Sequence, residues 1–240
     1  MIASFTHDFI FIKTRKTAGT SVEIVLSAWC SGRDICTPIS ADDEILRRRY
    51  GGAPRNFHRN AAAEAIYRWA VETQNAKIIA WTYERIRKGL AFHNHMPAAA
   101  VRAALPDLWR RAYKFTIDRH PYETVVSLAW FWIGRYFNGD ASRLPEAIER
   151  AIEQARYDNS ALYAEDRALL VDEVIPYESL WPRMEEIASR FGQSLPAALP
   201  LAKARSRLDR TPAREVLTAG QKARIAERCA LAFDLFGYRP

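Results

Sequence analysis

Six consecutive residues, 16–21 with the sequence Lys-Thr-Ala-Gly-Thr-Ser, bring one ammonium group and three hydroxyl groups together in a short stretch of this chain. They follow the apolar segment 9–12, which has the composition of a buried strand, and precede a segment with the apolar spacing of a helix. The first amides of a helix have no intrahelical acceptor, and the helix dipole is positive at that end. The stretch therefore predicts a binding site for a phosphate-like anion.

The order of these residues argues against a nucleoside-triphosphate loop of the Walker type. That loop requires Gly-x-x-x-x-Gly-Lys-Ser/Thr, whereas Lys16 precedes Gly19, the only glycine of the segment. A purely structural interpretation also stays open, in which Lys16 is solvated and the Ser and Thr side chains cap the helix.

A second segment, 113–127, has the same order of strand, turn and helix. Pro121 suits the first helical position, where its missing N–H group costs nothing. Arg119 lies where the strand ends, and Ser127 lies about 9 Å beyond Pro121 along the helix axis at 1.5 Å per residue. We therefore predict that Arg119 and Ser127 can bind one more anion between them.

Taken together, the two segments carry a resemblance to a known family. Lys-Thr-Ala-Gly-Thr-Ser resembles the 5′-phosphosulfate loop, and Arg-x-Pro-Tyr-x-x-x-x-x-Ser resembles the 3′-phosphate element, of sulfotransferases that use 3′-phosphoadenosine 5′-phosphosulfate (PAPS). The branch it resembles is the carbohydrate type with bacterial members. Segments 95–101, 171–180 and 232–238 are similar to further elements of that family. The chain departs from the pattern at Arg15, Pro97 and Asp118, where the family commonly has proline, threonine and an apolar residue.

The resemblance implies a P-loop-like three-layer α/β/α fold with a mostly parallel central sheet. It implies PAPS as the donor, adenosine 3′,5′-bisphosphate (PAP) as the product, and a hydroxyl acceptor that is a carbohydrate, a glycoconjugate or another small molecule. No metal is expected. The residues it assigns to donor binding are Arg15, Lys16, Thr17, Ala18, Gly19, Thr20, Ser21, Arg119 and Ser127.

Two residues are expected to do chemistry. Sulfuryl transfer needs a cation at the departing phosphate oxygen, for which we assign Lys16, and a base for the acceptor hydroxyl, for which we assign His95. Other candidates for the base remain open, namely His93, Glu64 and Glu84. Lys203, Arg205 and Arg207 are interpreted first as a solvated basic face, and a phosphate contact from one of them stays open as the alternative. The segment Tyr177-Glu178 is interpreted as structural.

Composition favours a cytoplasmic enzyme formed as one domain over residues 1–240, with insertions at about 31–60 and 194–214. Hydrophobic residues make up 49% of the chain, and no run of 18 apolar residues or secretory signal is present, so no membrane span is expected. The three cysteines fit reduced thiols. The formal net charge of +7 is interpreted as a field for an anionic donor and acceptor rather than for nucleic acid.

Apolar periodicity predicts strands at about 8–13, 77–82, 113–118 and 171–176. It predicts helices at about 20–30, 60–74, 121–136, 143–156, 177–191 and 215–236, with a short helix near 42–49. The aromatic residues 130–132, together with Tyr136 and Phe137, are interpreted as core.

Two other functional classes remain open. A kinase-like phosphotransferase could use Lys16 with ATP, but it would need carboxylates that hold Mg²⁺. A non-enzymatic binder of anions or nucleic acid would need no general base and would show polyanion affinity that falls steeply with salt.

Overall fold

The computed structural model describes residues 1–202, 209 and 211–239. The strands are β1 (Ile2–Ser4), β2 (Phe9–Ile12), β3 (Ile35–Cys36), β4 (Tyr113–Asp118), β5 (Ala164–Glu165), β6 (Ala168–Leu169) and β7 (Glu173–Pro176). The helices are α1 (Gly19–Trp29), α2 (Ala41–Arg49), α3 (Ala61–Glu72), α4 (Ala76–Ile86), α5 (Ala98–Ala104), α6 (Pro106–Arg111), α7 (Pro121–Tyr136), α8 (Leu144–Gln154), α9 (Ser160–Tyr163), α10 (Leu180–Arg190), α11 (Ala213–Val216), α12 (Ala219–Arg228) and α13 (Ala230–Phe236). Short 3₁₀ turns cover Arg87–Gly89, Ala141–Arg143 and Tyr177–Ser179.

Within the described residues, a five-stranded sheet has the order β3-β1-β2-β4-β7. β1 is antiparallel to β2 and β3, whereas β4 pairs in parallel with β2 and with β7, so four of the five strands run in one direction. The register places Ile12 opposite Thr116 and Asp118 opposite Pro176. The three parallel strands therefore end at the same edge of the sheet, where ligands of open α/β sheets bind.

Helices cover both faces of this sheet. Alternate residues of a strand point to opposite faces, and accordingly Phe9 and Phe11 pack with α1 and α10, whereas Ile10 and Ile12 pack with α5 and α6. Both sets are fully buried. The mixed α/β architecture and the mostly parallel sheet predicted from the sequence are confirmed.

A further cluster of buried residues joins α7 to α8, α12 and α13. Trp130 and Trp132 lie in this cluster with 3% and 6% of their surface exposed, so the prediction that they are core residues is confirmed. Phe131 and Phe137 are partly buried against the cluster, and the assignment of Tyr136 to the core is wrong because it lies near the end of α7 and is 60% exposed. Packing on this side supports the long helix α7, which carries part of the candidate site described below.

The strand predicted at 77–82 is wrong, because these residues belong to α4. Buried Ile79, Thr82 and Ile86 recur at helical spacing, and the side chain of Asn75 caps the helix by accepting from the amides of Lys77 and Ile78. A run of four apolar residues fits either a strand or a buried helix, and here the cap decides.

The single helix predicted at 215–236 is also wrong, since three helices occupy the segment. Thr218 and Gln221 form a capping box that begins α12, and Cys229 separates α12 from α13. Strands β1 and β3 and helices α5 and α6 were not predicted. The insertion at 31–60 contains β3 and α2, of which α2 matches the short helix expected near 42–49.

Cys30, Cys36 and Cys229 are buried free thiols. Among the described residues, no helix is both long enough and apolar enough to cross a membrane.

Candidate functional site

A cleft of about 1150 Å³ opens at the edge where β2, β4 and β7 end. Every residue assigned to donor binding or chemistry from the sequence lines it, although these residues come from three separate segments. They are Arg15, Lys16, Thr17, Ala18, Gly19, Thr20, Ser21, His95, Arg119 and Ser127. The cleft exceeds the range of about 300–1000 Å³ of ordinary small-molecule sites, so it has room for two substrates.

The turn between β2 and α1 has an unusual backbone. Lys16 and Ala18 adopt positive φ values of 63° and 57°, which non-glycine residues seldom do. Thr17 between them does not, and such alternation curls the backbone so that successive N–H groups line a concavity suited to an anion. Ala18 provides no side-chain cap for α1, so the first amides of the helix are left to a ligand or to water.

Gly19 is favoured at its position by the space around its Cα atom rather than by its backbone angle. A Cβ atom there would lie 3.0 Å from Cγ of Lys13 and 3.4 Å from the carbonyl oxygen of Thr14. A larger residue would push the turn away from the end of β2 and widen the concavity.

The three hydroxyls of the turn differ in what they can do. Thr17 is fully buried, and its Oγ1 lies 2.8 Å from Oγ1 of Thr14, whose hydroxyl also donates to the Ile117 carbonyl. Through Thr14, the Thr17 hydroxyl connects the turn to β4. The sequence instead assigns this hydroxyl to binding of the PAPS phosphosulfate. Thr20 and Ser21 form no side-chain hydrogen bond within the described part of the chain, so their hydroxyls suit a ligand at the cleft.

One face of α7 forms a wall of the cleft. Glu123, Ser127 and Phe131 follow one another at four-residue spacing, and they are the half-buried positions of a helix segment that is otherwise mostly buried. The ammonium group of Lys16 lies 5.0 Å from the centre of the Phe131 ring, within reach of a cation–π contact. This contact holds Lys16 over the cleft.

Arg119 follows β4 and is held on two sides. Its NH2 nitrogen lies 3.2 Å from Glu123 Oε2, and its guanidinium carbon lies 4.6 Å from the centre of the Tyr177 ring. The Nε atom of Arg119 is buried and has no hydrogen-bond partner among the residues that the structure describes. An oxyanion reaching Arg119 would satisfy Nε, so the arrangement can bind a phosphate or a carboxylate.

His95 lies beside the turn, with its Nδ1 atom 3.0 Å from the carbonyl oxygen of Lys13. A carbonyl only accepts, so Nδ1 carries the proton and Nε2 keeps its lone pair. Burial first, and then the positive charge of Lys13, lower the pKa of His95 to about 3. The imidazole is therefore neutral near physiological pH and can accept a proton at Nε2.

The other candidates for the base do not line the cleft. His93 is exposed and bonds the carbonyl of Asn94. Glu64 accepts from the amides of residues 56–58, and Glu84 forms an exposed ion pair with Arg87. The carboxylates that do line the cleft are Glu123 and Glu178, and Tyr177-Glu178, interpreted above as structural, forms part of its wall.

Asn159 joins the two halves of the site and was not found from the sequence. Its amide group bonds both the N–H group and the carbonyl of Arg15, at 2.8 and 3.1 Å, and also donates to Asp118 Oδ1 at 3.0 Å. Asp118 further accepts from Tyr163 and from the amide of Arg119. Burial outweighs these bonds and raises the pKa of Asp118 to about 6. No local pattern could reveal a contact between residues 144 positions apart.

Positive charge collects on one side of the cleft. Burial and the neighbouring guanidinium of Arg156 lower the pKa of Arg15, against a weaker attraction from Asp158. Neither arginine side chain forms a hydrogen bond or ion pair within the described residues. The pair is thus available to an anionic ligand.

A buried ion cluster supports the turn from behind. Glu23 on α1 accepts from the ammonium groups of Lys13 and Met1, at 2.6 and 2.9 Å, and lies 3.6 Å from Arg47. Burial alone would raise the pKa of Glu23, yet these three cations together hold it below its usual range. The cluster fixes α1 relative to β2, and with it the amides at the start of α1.

Lys203, Arg205 and Arg207, interpreted above as a solvated face with a phosphate contact as the alternative, lie outside the described residues. Among the residues that are described, no group of three or more His, Cys, Asp or Glu side chains could hold a metal ion.

No protein-family model matches this chain, and neither the curated proteins nor the solved structures contain a match.

Proposed function

We propose that this protein is a PAPS-dependent sulfotransferase with a P-loop-like fold, which transfers the sulfuryl group to a hydroxyl of a carbohydrate, a glycoconjugate or another small molecule. The observation that carries the proposal is convergence. Residues assigned from three separate sequence segments line a single cleft at the carboxyl edge of the sheet. The parallel sheet brings the turns after β2 and β4 together, but His95 comes from a segment outside these strand–turn–helix units and still lines the same cleft.

The cleft offers a binding partner to each end of the donor. The amides at the start of α1 and the hydroxyls of Thr20 and Ser21 suit the 5′-phosphosulfate. Arg119 and Ser127 suit the 3′-phosphate, because a guanidinium can give two parallel bonds to phosphate oxygens. To bind phosphate with two nitrogens, Arg119 would have to release its NH2 nitrogen from Glu123. The positive charge of Arg15 and Arg156 favours a polyanionic ligand in the same cleft.

The proposed transfer breaks one S–O bond and forms another. His95 takes the acceptor's hydroxyl proton at Nε2 while the acceptor oxygen attacks sulfur. The bond from sulfur to the 5′-phosphate breaks, and Lys16 neutralises the charge that develops on the departing oxygen. The negative charges of a bound donor would raise the pKa of His95 from its low value and make it a stronger base.

Asp118 argues for this donor over ATP with magnesium. Its carboxylate follows β4, where a phosphotransferase could place a magnesium ligand, but it is 3% exposed and already bonded to Asn159, Tyr163 and the Arg119 amide. Recruiting it to a metal would break that network.

The direct test is transfer of a labelled sulfuryl group. Protein is incubated with ³⁵S-labelled PAPS and a pool of sugar and small-molecule alcohols, and organic sulfates are separated from free sulfate. Wild-type protein should form a labelled ester, and Lys16→Ala should lower the rate about 100- to 1000-fold, as for loss of one transition-state donor. Lys77→Ala, which removes an exposed lysine of α4, is the matched control. Near-normal transfer by Lys16→Ala, or phosphoryl transfer from ATP with magnesium into the same pool, would contradict the proposal.

A further inference from the structure

Helices α3 and α4 form an antiparallel hairpin away from the sheet. One side of the hairpin is buried against Phe57 and α2, and it carries Tyr67, Val71, Ile79 and Ile86. At about 100° per residue, positions two residues away from these lie on the opposite side of each helix. That opposite side of the hairpin is called the outer face below.

The outer face carries large apolar side chains in solvent. Ile66, Trp69 and Trp81 are 55%, 62% and 57% exposed. Ala62 and Ala65 are exposed too and complete, with Ile66 and Trp69, an apolar stripe at helical spacing along α3. Two tryptophans and an isoleucine on one small hairpin form a patch of the kind that marks an interaction surface.

A row of basic residues lies beside this patch. Lys77, Trp81, Arg85 and Lys88 recur every three or four residues along one side of α4 and the turn that follows it. The guanidinium carbon of Arg85 lies 3.3 Å from the centre of the Trp81 ring, while Lys77 and Lys88 form no ion pair within the described residues.

Each acidic residue of the hairpin has a partner other than these cations, including Glu84, which lies on the outer face two residues before Ile86. Glu72 pairs with Arg48, Glu84 pairs with Arg87, and Glu64 accepts from the backbone amides of residues 56–58. Residues 61–89 contain five basic and three acidic side chains. The outer face is therefore apolar and positively charged at once.

We infer that the outer face of the α3–α4 hairpin docks on an anionic lipid surface. Tryptophan favours the boundary between lipid and water, and basic residues beside it are attracted to anionic headgroups. The two helices would lie in the plane of that surface with their apolar stripe inserted. A second copy of the chain fits less well, because a symmetric contact would bring the same cations face to face.

The consequence is reversible attachment at a surface rather than insertion. One apolar stripe and a few charges give binding that depends on lipid composition and on salt. Each lysine removed from the outer face should weaken binding about fivefold, since one basic residue near an anionic leaflet contributes about 1 kcal/mol.

The inference is tested by sedimentation with vesicles at 0.1 M salt. One set contains phosphatidylcholine with 30% phosphatidylserine, and the other contains phosphatidylcholine alone. Wild-type protein should partition to the anionic vesicles, and at least tenfold less to the neutral ones. Trp69→Ala with Trp81→Ala should lower binding at least tenfold, and Lys77→Gln with Lys88→Gln about 25-fold. Tyr136→Ala, which removes an aromatic side chain 60% exposed elsewhere, is the control and should bind as wild type does.

Three outcomes would overturn the inference. They are no binding of the wild type to anionic vesicles, equal binding to both vesicle types, and binding that the lysine variants retain in full. Sedimentation velocity without lipid tests whether a second copy of the chain covers the outer face instead. A dimer that the tryptophan substitutions dissociate would assign the outer face to that second copy. The lysine variants alter exposed side chains only, so they keep the test decisive if the tryptophan variant fails to fold.

Discussion

His95 should make this protein sensitive to acid, and replacing it should remove part of that sensitivity. The perturbation is His95→Asn. Asparagine tolerates the positive φ of 58° found at this position, and its side-chain amide can still donate to the Lys13 carbonyl. The substitution thus deletes the titrating group while keeping the backbone and one hydrogen bond.

The magnitude follows from the shift of its pKa. Burial and the charge of Lys13 lower the pKa of His95 from 6.5 to about 3, so the unfolded chain binds a proton at pH values where the folded chain does not. The contribution of this group to stability is complete above pH 6.5 and is lost as the pH falls toward 3. Between pH 7.5 and pH 5.0 the loss is about 2 kcal/mol, at 1.36 kcal/mol per pKa unit.

The assay is urea unfolding of both proteins at the two pH values. The free energy of unfolding of wild type should fall by about 2 kcal/mol more than that of His95→Asn. His93→Asn removes an exposed imidazole from the same loop and serves as the control. Equal acid losses in wild type and His95→Asn would refute the reasoning that His95 is buried and held neutral.

Three further substitutions test the supports of the site. Asp118→Asn should make the free energy of unfolding less dependent on pH. The pKa of Asp118 is raised to about 6, so wild type loses stability as the pH rises from 3.8 through 6, and the variant should lose about 2 kcal/mol less between pH 4 and pH 7. An unchanged pH profile would argue against a buried carboxyl at this position. Asn159→Ala removes three side-chain hydrogen bonds and should cost about 3 kcal/mol in urea unfolding, whereas a cost under about 1 kcal/mol would mean that Asn159 does not join the loops. Glu23→Gln leaves buried cations without their carboxylate and should cost about 3–5 kcal/mol, a result that a thermal midpoint equal to that of wild type would contradict.

The parts of the site that could be predicted from the sequence are those specified locally. The turn at 16–21 and the element around Arg119 each lie between an apolar strand and a helix, and the hydrophobic periodicity of those neighbours predicts all four elements. Because the carboxyl ends of parallel strands meet at one edge, the meeting of the two turns followed from topology.

What could not be predicted depends on distant partners or on local ambiguity. Asn159 reaches Arg15 and Asp118 only after folding, and nothing in its own neighbourhood marks it. Thr17 looks like a ligand by type, yet Thr14 occupies its hydroxyl. Segment 77–82 combines four consecutive apolar residues with a helix cap at Asn75, and the apolar run alone does not distinguish strand from helix.

The donor site is tested most directly by thermal unfolding with PAP, compared with ADP and with ATP plus magnesium at equal concentrations. A ligand at 100 times its dissociation constant adds about 2.7 kcal/mol, which corresponds to about 5–11 °C for a chain of this size. A PAPS-dependent enzyme should show that shift with PAP, a smaller one with ADP, and none with PAP in Arg119→Ala. No shift with PAP, or an equal shift with ATP and magnesium that Arg119→Ala retains, would contradict a sulfotransferase donor site in this cleft.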